Sequence, residues 1–204
     1  MSRALLRAVR RSFAALALSG LFAVGAMAQE GQPCPRPGTQ EDMPQTLGPG
    51  FERMMTHGFE ATMPGGGCSI RYKHPSGMWA DVYIYQAQLG RVEDVARDPR
   101  LLEEFKSAMS GIVKGWQQRY PDTKVRDVVA QYENHGQSRT EVLVGWATID
   151  RPEKEVLRSY VQLWSGSGSI WKLRTTFPGV DKAVSEPAVT ALGDALVDLS
   201  RGKP

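Results

Sequence analysis

In residues 65–86, GGGCSIRYKHPSGMWADVYIYQ, three glycines and a cysteine run directly into an alternating pattern. Ile70 and Tyr72 alternate with Ser69, Arg71 and Lys73, the period-two spacing of a strand whose sides meet different surroundings. HPSG, residues 74–77, places Pro and Gly where the chain must reverse. Beyond it Met78, Ala80, Val82 and Ile84 share one face, and Trp79, Tyr83 and Tyr85 share the other. The pattern predicts a hairpin of residues 68–74 with 78–87. Its second strand is partly apolar on both faces, so a layer is expected over each.

Downstream, Asp98-Pro99 is helix-start chemistry, with Asp at the N-cap and Pro at the first helical position. Leu101, Phe105, Met109, Ile112 and Trp116 follow at helical spacing and form one apolar stripe, which Tyr120-Pro121 ends. Four strands come next. KVRDVVAQYE (124–133) and RTEVLVGWATID (139–150) flank an Asn134-His135-Gly136 turn, and EVLRSYVQLWS (155–165) and SIWKLRTTF (169–177) flank GSG. A last helix, from about Ser185 to Leu199, carries Val189, Leu192, Leu196 and Leu199 on one stripe, with Ser185 as cap. The order β-β-α-β-β-β-β-α predicts an α+β domain: an antiparallel sheet of about six strands with two amphipathic helices packed on it.

Upstream, residues 1–28 combine four arginines, an apolar run and an Ala26-Met27-Ala28 end, the layout of a cleaved secretory signal peptide. Those arginines matter to the charge. Of 25 Lys and Arg against 22 Asp and Glu, four lie in this segment with no acid beside them, so cleavage leaves 21 against 22. No basic excess remains to favour nucleic acid. Residues 29–57 read as a Pro/Gly-rich arm, and FERMMTHGFEATMPGGG (51–67) reads either as a short helical turn through Phe51, Met54 and Met55 or as irregular chain over a sheet edge. Residues 58–204 read as the single domain.

An exported chain with only Cys34 and Cys68 favours a disulfide between them, tying the arm to the first strand. A thiolate metal ligand and a reactive cysteine are the competing readings, and the absence of C-x-x-C disfavours a thioredoxin-like site. Among the histidines, His74 and His135 fall in predicted turns, where solvent exposure is the ordinary expectation, and none of the three has metal-ligand spacing. WSGSGSIW lacks the G-x-S-x-G of a nucleophile elbow, and MPGGGC lacks the G-K-[ST] of a phosphate loop. No catalytic residue, metal or cofactor is assigned.

The aromatic residues form the remaining constellation. Most are expected in the core. The sharper reading is an aromatic cleft of Tyr83, Tyr85, Trp164 and Trp171 with Arg158, Lys172 and Arg174 beside it, suited to a small anionic or amphipathic ligand. The alternative for the cations is a solvated face paired with acids across the sheet.

The Y-x-x-P-x-G hairpin (Tyr72, Pro75, Gly77), the V-Y-I-Y strand (82–85) and the late K-x-R strand (172–174) resemble those of a group of secreted bacterial proteins of uncharacterised function. The element order resembles the Mog1/PsbP-like fold over about residues 58–200. Members of that fold are mostly binding or assembly factors, so the resemblance implies a non-enzymatic module without a cofactor, and it transfers no functional residue. The expectation is a periplasmic binding or accessory protein whose partner is a protein, an envelope polymer or a small ligand. The alternative is an envelope hydrolase assembled from scattered His, Asp and Glu.

Overall fold

The computed structural model describes residues 29–30, 33–37, 39, 41–86, 98–179 and 182–202. In chain order these form β1 (Gln29–Glu30), β2 (Thr46–Leu47), β3 (Phe51–Gly58), β4 (Cys68–Lys73), β5 (Trp79–Tyr85), α1 (Pro99–Arg119), β6 (Lys124–His135), β7 (Thr140–Asp150), β8 (Leu157–Gly166), β9 (Ser169–Pro178) and α2 (Lys182–Ser200). The predicted signal peptide lies outside the described residues. None of the helices among them is long and apolar enough to cross a membrane.

The chain is α+β with one antiparallel sheet and two helices, as its pattern predicts. The sheet is wider than about six strands: eight lie in the order β1-β3-β4-β5-β9-β8-β7-β6, and β2 pairs with β3 beside this path. The early hairpin and the late four-strand meander are joined where β5 pairs with β9, Asp81 opposite Arg174 and Tyr83 opposite Lys172. The main addition is β3, drawn from residues 51–58, which form neither a helical turn nor irregular chain. Its register with β4 shifts between Arg53 and Met55, so the apolar alternation that would advertise a strand is broken at the bulge.

The two apolar sheet faces are covered from opposite sides. On one, α1 sets Leu101, Phe105, Met109 and Ile112 against Leu143, Ile149, Leu157, Val161, Leu163 and Ile170. Asp98 caps this helix as expected, accepting from the Arg100 amide at 2.8 Å. Gly145 on β7 allows the close approach, since a Cβ there would lie 2.5 Å from the Phe105 ring. On the other face, α2 packs Leu192, Leu196 and Val197 with Ile70, Tyr72, Val82, Trp164, Trp171 and Leu173. This helix starts one turn earlier than expected, and Ser185 is buried within it instead of capping it.

The Cys34–Cys68 disulfide is present, with Cα atoms 5.7 Å apart. The arm around Cys34 also docks by its own polar contacts. Asp42 accepts from the Cys34 amide at 3.0 Å and from Arg53 at 2.7 Å, and Tyr72 donates to the Pro44 carbonyl at 2.9 Å. Burial opposes ionisation of Asp42, but the Arg53 guanidinium and the Cys34 and Met43 amides outweigh it and hold the carboxyl below the usual range.

The glycines before Cys68 have a specific task at Gly67. Its φ is +61°, and a Cβ would come 1.9 Å from the Ile84 carbonyl oxygen. Gly67→Ala is therefore expected to destabilise the fold by about 2–4 kcal/mol, combining left-handed strain with displacement of the β5 backbone. Urea denaturation of the oxidised protein checks this. A loss near zero would mean that the turn is free to rearrange.

Candidate functional site

The helix α1 lies over β7 and β8, so its flank and the adjoining face of β4, β5 and β9 enclose a cleft of about 720 Å³. Strand pairing builds the floor. Arg71, Asp81 and Arg174 occupy directly opposed positions on β4, β5 and β9. Arg71 grips Asp81 with two bonds, 2.7 and 3.1 Å. One carboxylate thus stands between two guanidinium groups and is taken by one of them. Among the described residues Arg174 has no carboxylate within 4 Å, and neither has Arg119 on the helix.

Aromatic rings frame these charges. Trp79 and Tyr83 flank Asp81 along β5, and Trp79 is 41% exposed. Burial pushes the Tyr83 hydroxyl up and Asp81 adds to the rise, while Arg174 and Arg71 oppose it, so the phenol stays neutral. On the helix side Trp116 and Tyr120 stack at 5.7 Å, with Arg151 over the Trp116 ring and Lys154 over Tyr120. Gly111 and Gly115, one turn apart on α1, also face the cleft, and a Cβ on either would meet nothing within 4 Å. Each glycine weakens a helix interior by about 0.5–1 kcal/mol relative to alanine. The helix wall is bare where side chains would be cheap to place.

The seven residues predicted to form one site do not share a face. Tyr83 and Arg174 line the cleft. Lys172 and Tyr85 instead form a knot beside it: the Lys172 ammonium lies 5.0 and 4.9 Å from the Tyr83 and Tyr85 ring centroids and pairs with Glu104 at 3.2 Å. Tyr85 donates to the same carboxylate, and burial together with that bond raises its pKa strongly. Arg158, Trp164 and Trp171 lie on the opposite side of the sheet. Both tryptophans are 0% exposed, with Trp164 Nε1 bonded to Ser200 Oγ at 3.0 Å and Trp171 Nε1 bonded to the Gly166 carbonyl at 3.1 Å. They are core, because successive strand residues point to opposite faces and α2 covers theirs. Arg71, Trp116, Arg119, Tyr120 and Arg151 also line the cleft and lie outside the predicted set. The two helix glycines were the available signal for this wall.

His135 is not a solvated turn residue. It ends β6, is 3% exposed, and sits with Nδ1 2.8 Å from Asp194 and Nε2 3.3 Å from Glu133. The Asp194 carboxylate also accepts from the Gly136 amide, and Asp198 accepts from Gln137. These contacts hold the β6–β7 turn against α2, and no described hydrogen bond brings a hydroxyl or thiol to the imidazole. Among the described residues no group of three His, Cys, Asp or Glu is arranged to hold a metal.

The chain matches no protein-family model and none of the curated proteins compared with it.

Proposed function

We propose that this chain is an exported, periplasmic binding or accessory protein of the Mog1/PsbP-like type, acting without catalysis, and that its ligand is a small anionic or amphipathic molecule held in the α1 cleft. The observation that carries the reading is Arg174, a cation on the cleft floor beside Tyr83 with no carboxylate partner among the described residues. Arginine remains charged at every physiological pH and offers a planar set of donors that fits carboxylate, sulfonate or phosphate. The neighbouring Trp and Tyr faces supply the apolar half of the recognition. Export is supported by the signal-like first 28 residues and by the disulfide, a bond that persists in oxidising compartments.

The hydrolase reading would rest on His135 with Asp194. The structural work of that pair at the β6–β7 turn accounts for it without turnover.

The test uses 8-anilinonaphthalene-1-sulfonate, an aromatic sulfonate whose emission reports binding. Saturable binding to the folded protein is expected, and Arg174→Ala should weaken it about tenfold, the worth of one charge-assisted contact of roughly 1.4 kcal/mol. An unchanged thermal midpoint excludes partial unfolding as the source of the signal. Equal affinity in the variant would remove the cleft from consideration.

A further inference from the structure

A second cavity, of about 300 Å³, lies on the other side of the sheet, between α2 and strands β6, β7 and β8. Its walls include Glu133, Trp146, Arg158, Tyr160, Gln162 and Glu186. Two carboxylates face one guanidinium, so its charge is opposite in sign to that of the α1 cleft. The aromatic wall is Trp146 and Tyr160, with centroids 5.9 Å apart, and Tyr160 stacks in turn on Phe177, 5.5 Å away on β9 and outside the cavity lining. Arg158 reaches Glu186 at 3.2 Å, and the Tyr160 hydroxyl donates to the same carboxylate. Burial pushes that phenol up to about 12, and the bond to Glu186 adds to the rise, so the hydroxyl stays a neutral donor.

Gln162 is the residue that packing does not explain. It is 3% exposed, lines this cavity, and its Oε1 is buried without a hydrogen-bond partner. An orphaned buried amide costs about 1–3 kcal/mol. The side chain also demands a glycine in the middle of α2, because a Cβ at Gly193 would lie 2.2 Å from that oxygen. A helix glycine adds roughly 0.5–1 kcal/mol to the cost. Leucine or methionine at position 162 would avoid the orphan. Rotating the amide by half a turn exchanges its oxygen and nitrogen, so a ligand donor can draw the carbonyl toward the cavity.

We propose that this cavity binds a compact protonated amine, with the ammonium held by the Glu133 and Glu186 carboxylates and the Trp146 ring and donating one N–H hydrogen bond to the Gln162 amide oxygen. Ammonium groups are attracted to both carboxylates and aromatic faces, and the cavity has the size of a small-molecule site. The site is separate from the α1 cleft, and neither depends on the other.

Isothermal titration of the oxidised protein with putrescine at low ionic strength tests it. A single saturable site is expected. Glu133→Gln and Gln162→Met should each weaken binding by about tenfold or more. Gln162→Met should leave the thermal midpoint equal to or above that of the parent, because it removes an unbonded buried amide. Arg174→Ala, in the other cleft, should change nothing. The proposal is overturned if putrescine gives no saturable heat, if both variants bind it as the parent does, or if acetate binds in its place.

Discussion

Removing the Cys34–Cys68 bridge, by replacing both cysteines with serine, is expected to lower stability by about 4 kcal/mol in the chain-entropy account, given a closed loop of 34 residues in sequence separation. Total stability for a domain of this kind is of the order of 5–15 kcal/mol, so the loss is a large share of it. The effect should be local before it is global. Cys34 is 0% exposed and its amide and carbonyl are held by Asp42 and Met43, so freeing the arm also releases Met43 from the core and Arg53 from Asp42. Equilibrium urea denaturation with and without reductant measures the total. Hydrogen exchange at Met43 and Arg53 tells whether the arm leaves first. A double variant as stable as the oxidised parent would mean that the polar contacts of the arm suffice without the covalent bond.

The comparably large second effect belongs to the tryptophans of the last hairpin. Trp164 and Trp171 are paired across β8 and β9, with rings stacked at 6.1 Å. Trp171→Ala should cost about 3–5 kcal/mol, as large aromatic truncations in packed cores do. Trp164→Ala should cost a similar amount and leaves the Ser200 hydroxyl without its Trp164 donor. The distinction from a ligand site is experimental. A core residue loses stability on truncation while the folded fraction keeps its affinity for the sulfonate dye. A pocket residue loses affinity and keeps its stability. Urea midpoints and dye titrations on the same samples separate these outcomes, and a loss of affinity without loss of stability would return the tryptophans to a binding role.

Two cavities of opposite charge lie on opposite faces of one sheet. The α1 cleft owes its character to cross-strand register, which sets Arg71, Asp81 and Arg174 in a row and leaves the last of them without a carboxylate among the described residues. The cavity beside α2 owes its character to Gln162 and to the glycine that admits it. Arg174 lacks a carboxylate partner among the described residues and the Gln162 Oε1 is buried without a hydrogen bond, and departures of this kind concentrate at functional sites.

Local chemistry in the sequence was enough for the elements whose signals are local. Alternation fixes the two faces of β5, Asp98-Pro99 and the stripe to Trp116 fix α1, and two cysteines behind a signal-like segment point to the bridge. Strand β3 escaped because its bulge breaks the period on which the reading depends. His135 escaped because its partners Asp194 and Glu133 come from a helix 59 residues away and from its own strand. The grouping of the candidate site escaped for the same physical reason. Periodicity tells which residues of one strand share a face. It does not tell which face of one strand aligns with which face of another, nor where a helix stops covering the sheet. Pairing β5 with β9 decided that Tyr83 and Arg174 meet, and the packing of α2 decided that Trp164 and Trp171 are buried on the far side.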